Sequence, residues 1–230
     1  RIELSQPRRS PIMEGAGPSW LDRESLALAA AWLAPAILIV YLGIHDGGFD
    51  AVALGKAGVV TWWCVLLGVL SGLLPVQGLP RAAWVAGGLL AGFAIWTGLA
   101  MIWSESAERT AFELGRVATL LGVFTIVVLL RGAGNLRRVC AGVAGGVVVI
   151  TLVALASRLH PQWFPDDIAA NFVTQAARLS YPVGYWNGLA VLIAVVLPLV
   201  VSFAAAPSRA LVRGLATASL PALALAVYLT

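Results

Sequence analysis

The fold is decided by apolar runs such as NGLAVLIAVVLPLVVSFAAA, which extends from Asn187 to Ala206 without a charged residue. An α-helix rises about 1.5 Å per residue, so about 20 apolar residues cross the hydrocarbon core of a bilayer. Across the whole chain of 230 residues, 60% are hydrophobic and 11% are charged, against roughly 25% charged in soluble domains. This composition predicts an all-α fold, a polytopic bundle of transmembrane helices.

Seven apolar segments of this kind predict about seven spans. We expect them near 26–44, 57–75, 82–103, 114–130, 138–157, 187–206 and 211–230. Residues 1–24 are polar and contain three prolines, so they predict an N-terminal arm outside the bilayer, followed by a transmembrane domain over 25–230. Because the chain begins at Arg1 and ends within an apolar run at Thr230, we expect it to be a C-terminally truncated piece of a longer protein.

Lys and Arg residues are distributed unevenly between alternate loops, and this predicts the orientation in the membrane. Ten lie in the arm or in the loops after spans two, four and six, whereas five lie on the other side: Lys56, Arg109, Arg116, Arg158 and Arg178. Cytoplasmic loops carry the excess of Lys and Arg, so the N-terminal arm is predicted to be cytoplasmic and the long loop at about 158–186 to be outside. The net charge of +4 then reflects membrane sorting, and no nucleic-acid partner is expected.

Several classes of site are disfavoured by the residue types present. The predicted spans contain no Asp, Glu or Lys, which argues against an ion pathway or a proton relay, because these need ionisable residues within the membrane. Cys64 and Cys140 lie in separate apolar runs and predict neither a disulfide nor a metal site. In the long loop, His160 is interpreted as a surface residue, and Asp166 and Asp167 fit the start of a short helix better than a cation site. No metal or cofactor is therefore expected.

The stretch TGLAMIWSESAERTAFELGR, residues 97–116, joins the end of one span to the charged start of another helix. Ser104 is predicted to cap this helix. Three charged residues share one of its faces and could form a salt-bridged row: Glu105, Arg109 and Glu113. An interfacial helix is the simplest interpretation of this row. Arg116 begins the following apolar run, where it either extends its guanidinium to the interface or presents a fixed cation to an anionic lipid head group.

The stretch RLSYPVGYWNGLA, residues 178–190, leads into the next apolar run. Pro182 and Gly184 exclude a regular helix, so we expect an extended or turning segment at the membrane surface. Three residues are expected to seat the following helix, two as interfacial anchors and the last as a cap: Tyr185, Trp186 and Asn187. This interpretation does not explain the presence of Arg178. A guanidinium at this depth can bind a phosphate through two parallel hydrogen bonds.

These two stretches resemble the O-antigen ligase and O-antigen polymerase family. The resemblance is carried by the span end IWTGLAMIWS at residues 95–104, by the Arg116 that follows it, and by RLSYPVGYWNGLA; it covers roughly residues 85–230. Members are polytopic glycosyltransferases of the bacterial inner membrane that use polyprenyl-diphosphate-linked glycans at the outer face. In the family a Ser-Arg-Gly motif and a large outer loop with proposed catalytic groups come later, so the resemblance implies that this chain lacks part of the active site.

The resemblance implies a reaction in which a hydroxyl of an acceptor glycan or lipid attacks the sugar joined to polyprenyl diphosphate. Charge builds on the departing diphosphate and is stabilised by arginine side chains. Arg178 is then the first candidate for a diphosphate ligand and Arg116 the second, while Tyr185, Trp186 and Asn187 would shape the pocket around the lipid head. The catalytic base stays unassigned, and ligase and polymerase activity are both left open.

A secondary transporter or lipid flippase is the rival interpretation. Such proteins are built from internal repeats and contain helices interrupted near the middle of the membrane. The seven predicted spans show no convincing repeat, although three prolines within spans could mark interruptions: Pro35, Pro198 and Pro221. A non-catalytic membrane scaffold is a third alternative, and the crowding of polar residues at 178–187 makes it less attractive.

Overall fold

The computed structural model describes residues 23–72, 74, 78–130, 135–164, 178–206 and 209–230. Within these ranges the chain forms seven α-helices and no β-strand: α1 Arg23–Ile44, α2 Ala51–Leu70, α3 Arg81–Leu99, α4 Ala107–Leu129, α5 Asn135–Leu159, α6 Trp186–Ala205 and α7 Ala210–Leu229. The predicted all-α fold is confirmed. The predicted cytoplasmic arm and the Asp166–Asp167 pair lie outside the described residues.

Six of the helices, α2 to α7, are long and apolar enough to cross a membrane. The second of these spans includes the 3₁₀ turn Ala100–Ile102, which continues α3. α1 has a shorter apolar stretch, Leu28–Ile44. The chain is therefore that of a multi-pass membrane protein, with six full-length spans and one shorter apolar helix in its described part.

α2 starts earlier than the span that was predicted near 57. It begins at Ala51, and the Asp50 carboxylate accepts hydrogen bonds from the amides of Val52 and Ala53 at 3.0 and 3.2 Å. Lys56 interrupts the apolar run, so hydropathy placed this start too late. At α4 the sequence predicted an interfacial helix ahead of a span near 114, whereas the structure has one continuous helix that begins at Ala107.

Ser106, not Ser104, caps α4, so the predicted cap is wrong. The Ser106 hydroxyl accepts a hydrogen bond from the amide of Arg109 at 3.4 Å. Ser104 lies two residues before this cap. Its hydroxyl accepts a hydrogen bond from the Ser106 amide at 3.2 Å and is 2.6 Å from the Thr110 hydroxyl. The two serines together fix the turn that leads from α3 into α4.

The prolines do not interrupt their helices. Pro35, Pro198 and Pro221 lie inside α1, α6 and α7, each of which continues through the proline. A transmembrane helix tolerates such a proline when neighbouring helices or side chains satisfy the freed carbonyl. The interruptions that the transporter interpretation expected at these positions are therefore absent from these three helices.

The helices pack as two groups. In the first helix group α1 packs along α5, α6 packs along α7, and α5 contacts both α6 and α7. In the second helix group α2 and α3 each pack against α4. The groups share a small apolar cluster at the end of the bundle that is predicted to be cytoplasmic: Ala31, Leu74, Leu129, Leu130 and Val139.

The first helix group has the denser core. Its fully buried side chains include Ile150, Leu189, Ile193 and Leu223, whereas no residue of α3 is buried. α1 and α5 approach closely at Gly142, because a methyl group placed there would collide with the carbonyl oxygen of Trp32. Small residues allow such backbone contact between membrane helices.

Candidate functional site

The loops predicted to lie outside come together at one end of the bundle, called here the outer end. A methyl group placed on Gly47 would lie 2.8 Å from Cγ1 of Val183, and one on Gly184 would lie 3.2 Å from Oδ1 of Asp46. The Arg116 guanidinium lies over the Phe49 ring, 5.7 Å from its centroid. Residues 45–50, called here the His45 loop, therefore touch both the segment before α6 and Arg116 of α4.

The segment before α6 turns instead of continuing a helix, as Pro182 and Gly184 predicted. Leu179 is fully buried, and its amide donates a hydrogen bond to the carbonyl of Leu229 at 2.8 Å. The amide of Gly184 donates to the Ser180 carbonyl at 3.0 Å, and Gly184 has a φ of +77°. Irregular backbone at membrane depth is tolerated where protein covers it, and here the end of α7 and the His45 loop provide that cover.

Arg178 lies at the start of this segment with its side chain exposed. Its guanidinium carbon lies 5.4 Å from the centroid of the Trp186 ring. A guanidinium over an indole gains a cation–π attraction and keeps its N–H donors available at the edge. Within the described part of the chain no carboxylate pairs with Arg178, so its charge is not compensated there.

Tyr185, Trp186 and Asn187 lie beside Arg178 at the start of α6. The Asn187 amide donates to the Tyr185 hydroxyl at 2.8 Å, and the Tyr185 and Trp186 rings are 5.2 Å apart. The prediction that Asn187 caps the helix is wrong: Tyr185 is the N-cap residue and provides no side-chain cap, while Asn187 lies in the first turn. We call these four residues the Arg178 cluster.

Arg116 has different surroundings. Its Nη1 donates to both carboxylate oxygens of Glu113 at 3.1 Å, and its guanidinium carbon lies 6.0 Å from the Phe112 ring centroid in addition to the contact with Phe49. Glu113 therefore pairs with Arg116, and the proposed row in which it would pair with Arg109 does not form. The Arg116 charge is already compensated, and the structure places this residue outside the Arg178 cluster.

His45 lies at the outer end and was not predicted from the sequence as a functional residue. Its Nδ1 lies 2.7 Å from the carbonyl oxygen of Tyr41, and the two rings are 4.5 Å apart. The ring borders an apolar groove of ≈ 530 Å³ between α1 and α5. The signal in the sequence was a histidine followed by Asp-Gly-Gly between two apolar runs, but that pattern does not say which other loop the turn touches.

His160 is exposed and stacks on the Trp163 ring, with centroids 4.2 Å apart and planes 15° from parallel. This agrees with its interpretation as a surface residue. Cys64 is exposed and Cys140 half-buried, and both are free thiols. Across the ranges that the structure describes, no group of three His, Cys, Asp or Glu side chains could hold a metal ion.

The outer end thus combines a cation that lies on an aromatic ring and has no carboxylate partner among the described residues, a second cation paired with a carboxylate, and a histidine beside an apolar groove. Such an arrangement can bind an amphiphile that has an anionic head and a hydrocarbon tail. No family model, curated protein or solved structure matches the chain. The functional proposal therefore rests on these residues and on the two sequence stretches that contain Arg116 and Arg178.

Proposed function

We propose that the chain belongs to a membrane glycosyltransferase of the O-antigen ligase-like class. The enzyme transfers a glycan from a polyprenyl-diphosphate carrier to a hydroxyl of an acceptor glycan or lipid, at the outer face of the bacterial inner membrane. One observation carries the proposal: the exposed Arg178 guanidinium lies on Trp186 with no carboxylate partner among the described residues. Both residues lie within RLSYPVGYWNGLA, the stretch that resembles this family most specifically.

A diphosphate suits the Arg178 guanidinium in both geometry and charge. The planar fork of an arginine matches two phosphate oxygens, and hydrogen bonds between charged groups are roughly twice as strong as neutral ones. Contact with Trp186 limits the rotamers of the side chain, so less entropy is lost when a ligand binds. As the sugar departs, negative charge grows on the diphosphate, and a cation already in place stabilises that charge.

The aromatic residues of the Arg178 cluster suit a lipid-linked substrate. Tyr and Trp side chains favour the boundary between head groups and hydrocarbon. Tyr185 is exposed, and Trp186 is half-buried beneath the guanidinium. A carrier whose tail lies in the bilayer would present its diphosphate at this level, beside the N-H donors of Arg178.

In this proposal Arg116 contributes less than Arg178 to the binding of the diphosphate. Its bond to Glu113 must be shared or broken before a phosphate can replace the carboxylate. An exposed pair of this kind is worth only about 0–1 kcal/mol, so the replacement is feasible but reduces the affinity gained.

Substitution Arg178→Ala in the full-length protein tests the proposal. We expect the dissociation constant for farnesyl diphosphate to rise about 10- to 100-fold, because hydrogen bonds to charged groups contribute about 1.5–3 kcal/mol. Glycan transfer from the carrier in membrane vesicles should be lost, while expression and insertion persist. Binding is measured by calorimetry on the protein in phospholipid nanodiscs, with empty nanodiscs as baseline.

Arg109→Ala is the matched control, since Arg109 is an exposed arginine at the same end of the bundle. It removes the same charge and should leave binding and transfer unchanged. Unchanged binding and transfer in Arg178→Ala would contradict the proposal. If that variant loses binding and trans-bilayer movement of a labelled carrier while transfer is never detected, the lipid flippase interpretation would be favoured.

A further inference from the structure

We propose that His45 accepts the proton of the attacking hydroxyl, an inference that rests on the proposed glycosyl transfer. No residue has so far been assigned to this role. Three features of the structure point to His45: the hydrogen bond that fixes its tautomer, the open groove beside its ring, and the contact between the His45 loop and the segment that begins with Arg178.

The hydrogen bond to Tyr41 fixes which nitrogen of His45 carries the proton. A carbonyl oxygen can only accept, so Nδ1, at 2.7 Å from the Tyr41 carbonyl, must be the donor. In the neutral ring the other nitrogen, Nε2, then has a free lone pair. No side chain or backbone group in the described ranges donates to Nε2, and it is available as a proton acceptor.

The surroundings of the ring hold it in place and leave space for a ligand. His45 is half-buried and contacts the Tyr41 ring, which lies one helical turn before it on α1. The groove between α1 and α5 extends along one face of α1 from Trp32 to His45, a distance of about 20 Å at 1.5 Å per residue. An acceptor anchored in the bilayer can therefore bring a hydroxyl to the ring along this groove.

The His45 loop is in direct contact with the segment that presents Arg178. Gly47 lies against Val183, and Asp46 lies against Gly184, two residues before Trp186. A glycosyl transfer needs a cation at the diphosphate and a base at the acceptor on opposite sides of one anomeric carbon. The contact brings a candidate for each role to neighbouring parts of the outer end.

The proposed step is a substitution at the anomeric carbon. The acceptor oxygen forms a bond to the anomeric carbon while the bond from that carbon to the diphosphate oxygen breaks. The electron pair of the broken bond leaves with the diphosphate, next to Arg178. The hydroxyl proton passes to Nε2 of His45, and the resulting imidazolium keeps its Nδ1 hydrogen bond to Tyr41. Release of that proton to water restores the neutral ring.

His45→Asn in the full-length protein is the test, because the asparagine amide can still donate to the Tyr41 carbonyl while the accepting nitrogen is removed. We expect kcat for glycan transfer to fall about 100-fold, within the usual range for loss of a general base, and farnesyl diphosphate binding to stay unchanged. In His45→Ala, added imidazole should restore part of the rate. His160→Asn, at the other histidine of the chain, should transfer at the normal rate.

The two variants together distinguish a failure of the role of His45 from a failure of the proposed function. If Arg178→Ala loses binding and His45→Asn transfers normally, the role of His45 is overturned and the proposed function stands. If neither variant has an effect, or the unaltered protein shows no transfer, both are overturned. Loss of transfer in His45→Asn without imidazole rescue of His45→Ala would reduce His45 to a structural residue and overturn the inference as well.

Discussion

Two arginines at the outer end, one from each helix group, differ in the surroundings of their guanidinium groups. Arg178, beside α6 in the first helix group, lies on an indole and has no carboxylate partner among the described residues. Arg116, on α4 in the second helix group, is held by both oxygens of Glu113. The same residue type thus lies on an aromatic ring in one place and is half of an ion pair in the other.

The difference arises from the backbone around each arginine. Arg116 is part of a regular helix, where a carboxylate three residues earlier comes within reach of the guanidinium automatically. Arg178 precedes an irregular segment that is fixed from outside, by the Leu229 carbonyl and by the His45 loop. An arginine on a helix acquires its partner from the local sequence, whereas an arginine on a buried turn depends on the rest of the fold for its position.

The largest effect is expected from Gly142→Leu, which would separate α1 from α5 in the first helix group. Its side chain would collide with the Trp32 backbone, and overpacking of this kind costs about 3 kcal/mol. Gly115→Leu is the matched change in the second helix group, since a methyl group placed on Gly115 meets nothing within 4 Å. Thermal unfolding in detergent should show a clear loss of stability for the first variant only. Equal stability of both variants would contradict the account of α1–α5 packing.

A smaller effect is expected from Gly47→Ala, which tests whether the His45 loop positions Arg178. The added methyl group would lie 2.8 Å from Val183, so the segment that begins with Arg178 must shift. We expect farnesyl diphosphate to bind about tenfold more weakly, a loss of about 1.4 kcal/mol.

Gly48→Ala is the control for this variant. Gly48 also has a positive φ, +85°, but its nearest contact is an ordinary 3.6 Å to Leu42. Both variants carry the backbone strain of alanine at positive φ, and only Gly47→Ala touches Val183. If both weaken binding equally, strain in the loop explains the loss and the positioning role of Gly47 is wrong.

The smallest effect is expected from Glu113→Gln, which releases Arg116 from its carboxylate. An exposed pair contributes about 0–1 kcal/mol, so freeing the guanidinium should tighten farnesyl diphosphate binding up to about fivefold. Glu108→Gln removes a charge from the first turn of the same helix and should have no such effect. Unchanged affinity in Glu113→Gln would show that the pair with Glu113 does not limit the contribution of Arg116 to binding.

The sequence predicted the elements that depend on local chemistry. The apolar runs located all seven helices of the described residues, and Pro182 with Gly184 predicted the turn before α6, because both follow from properties of neighbouring residues. The start of α2 was placed too late because Lys56 interrupts its apolar run. The charged turns before span four were predicted as a separate interfacial helix capped by Ser104, because the sequence alone does not show that they join the span as one helix capped by Ser106.

Sequence patterns could not predict the contacts that form the candidate site. Leu179 bonds to Leu229, and Gly47 packs against Val183; both pairs join residues far apart in the chain. His45 was missed for the same reason, because its interest comes from the Tyr41 hydrogen bond and from the loop it belongs to. Arg178 was found because its charge is out of place in the sequence itself.

The packing of α1 along α5 also has a consequence for assembly. α2, α3 and α4 pack with helices close to them in sequence, so they can associate soon after insertion. α1 is made before them but finds its main partner, α5, only after three further helices have been inserted, and domains made early in synthesis generally begin folding early. The helix with the shortest apolar stretch, Leu28–Ile44, therefore spends the longest time in the bilayer without the neighbour that secures it.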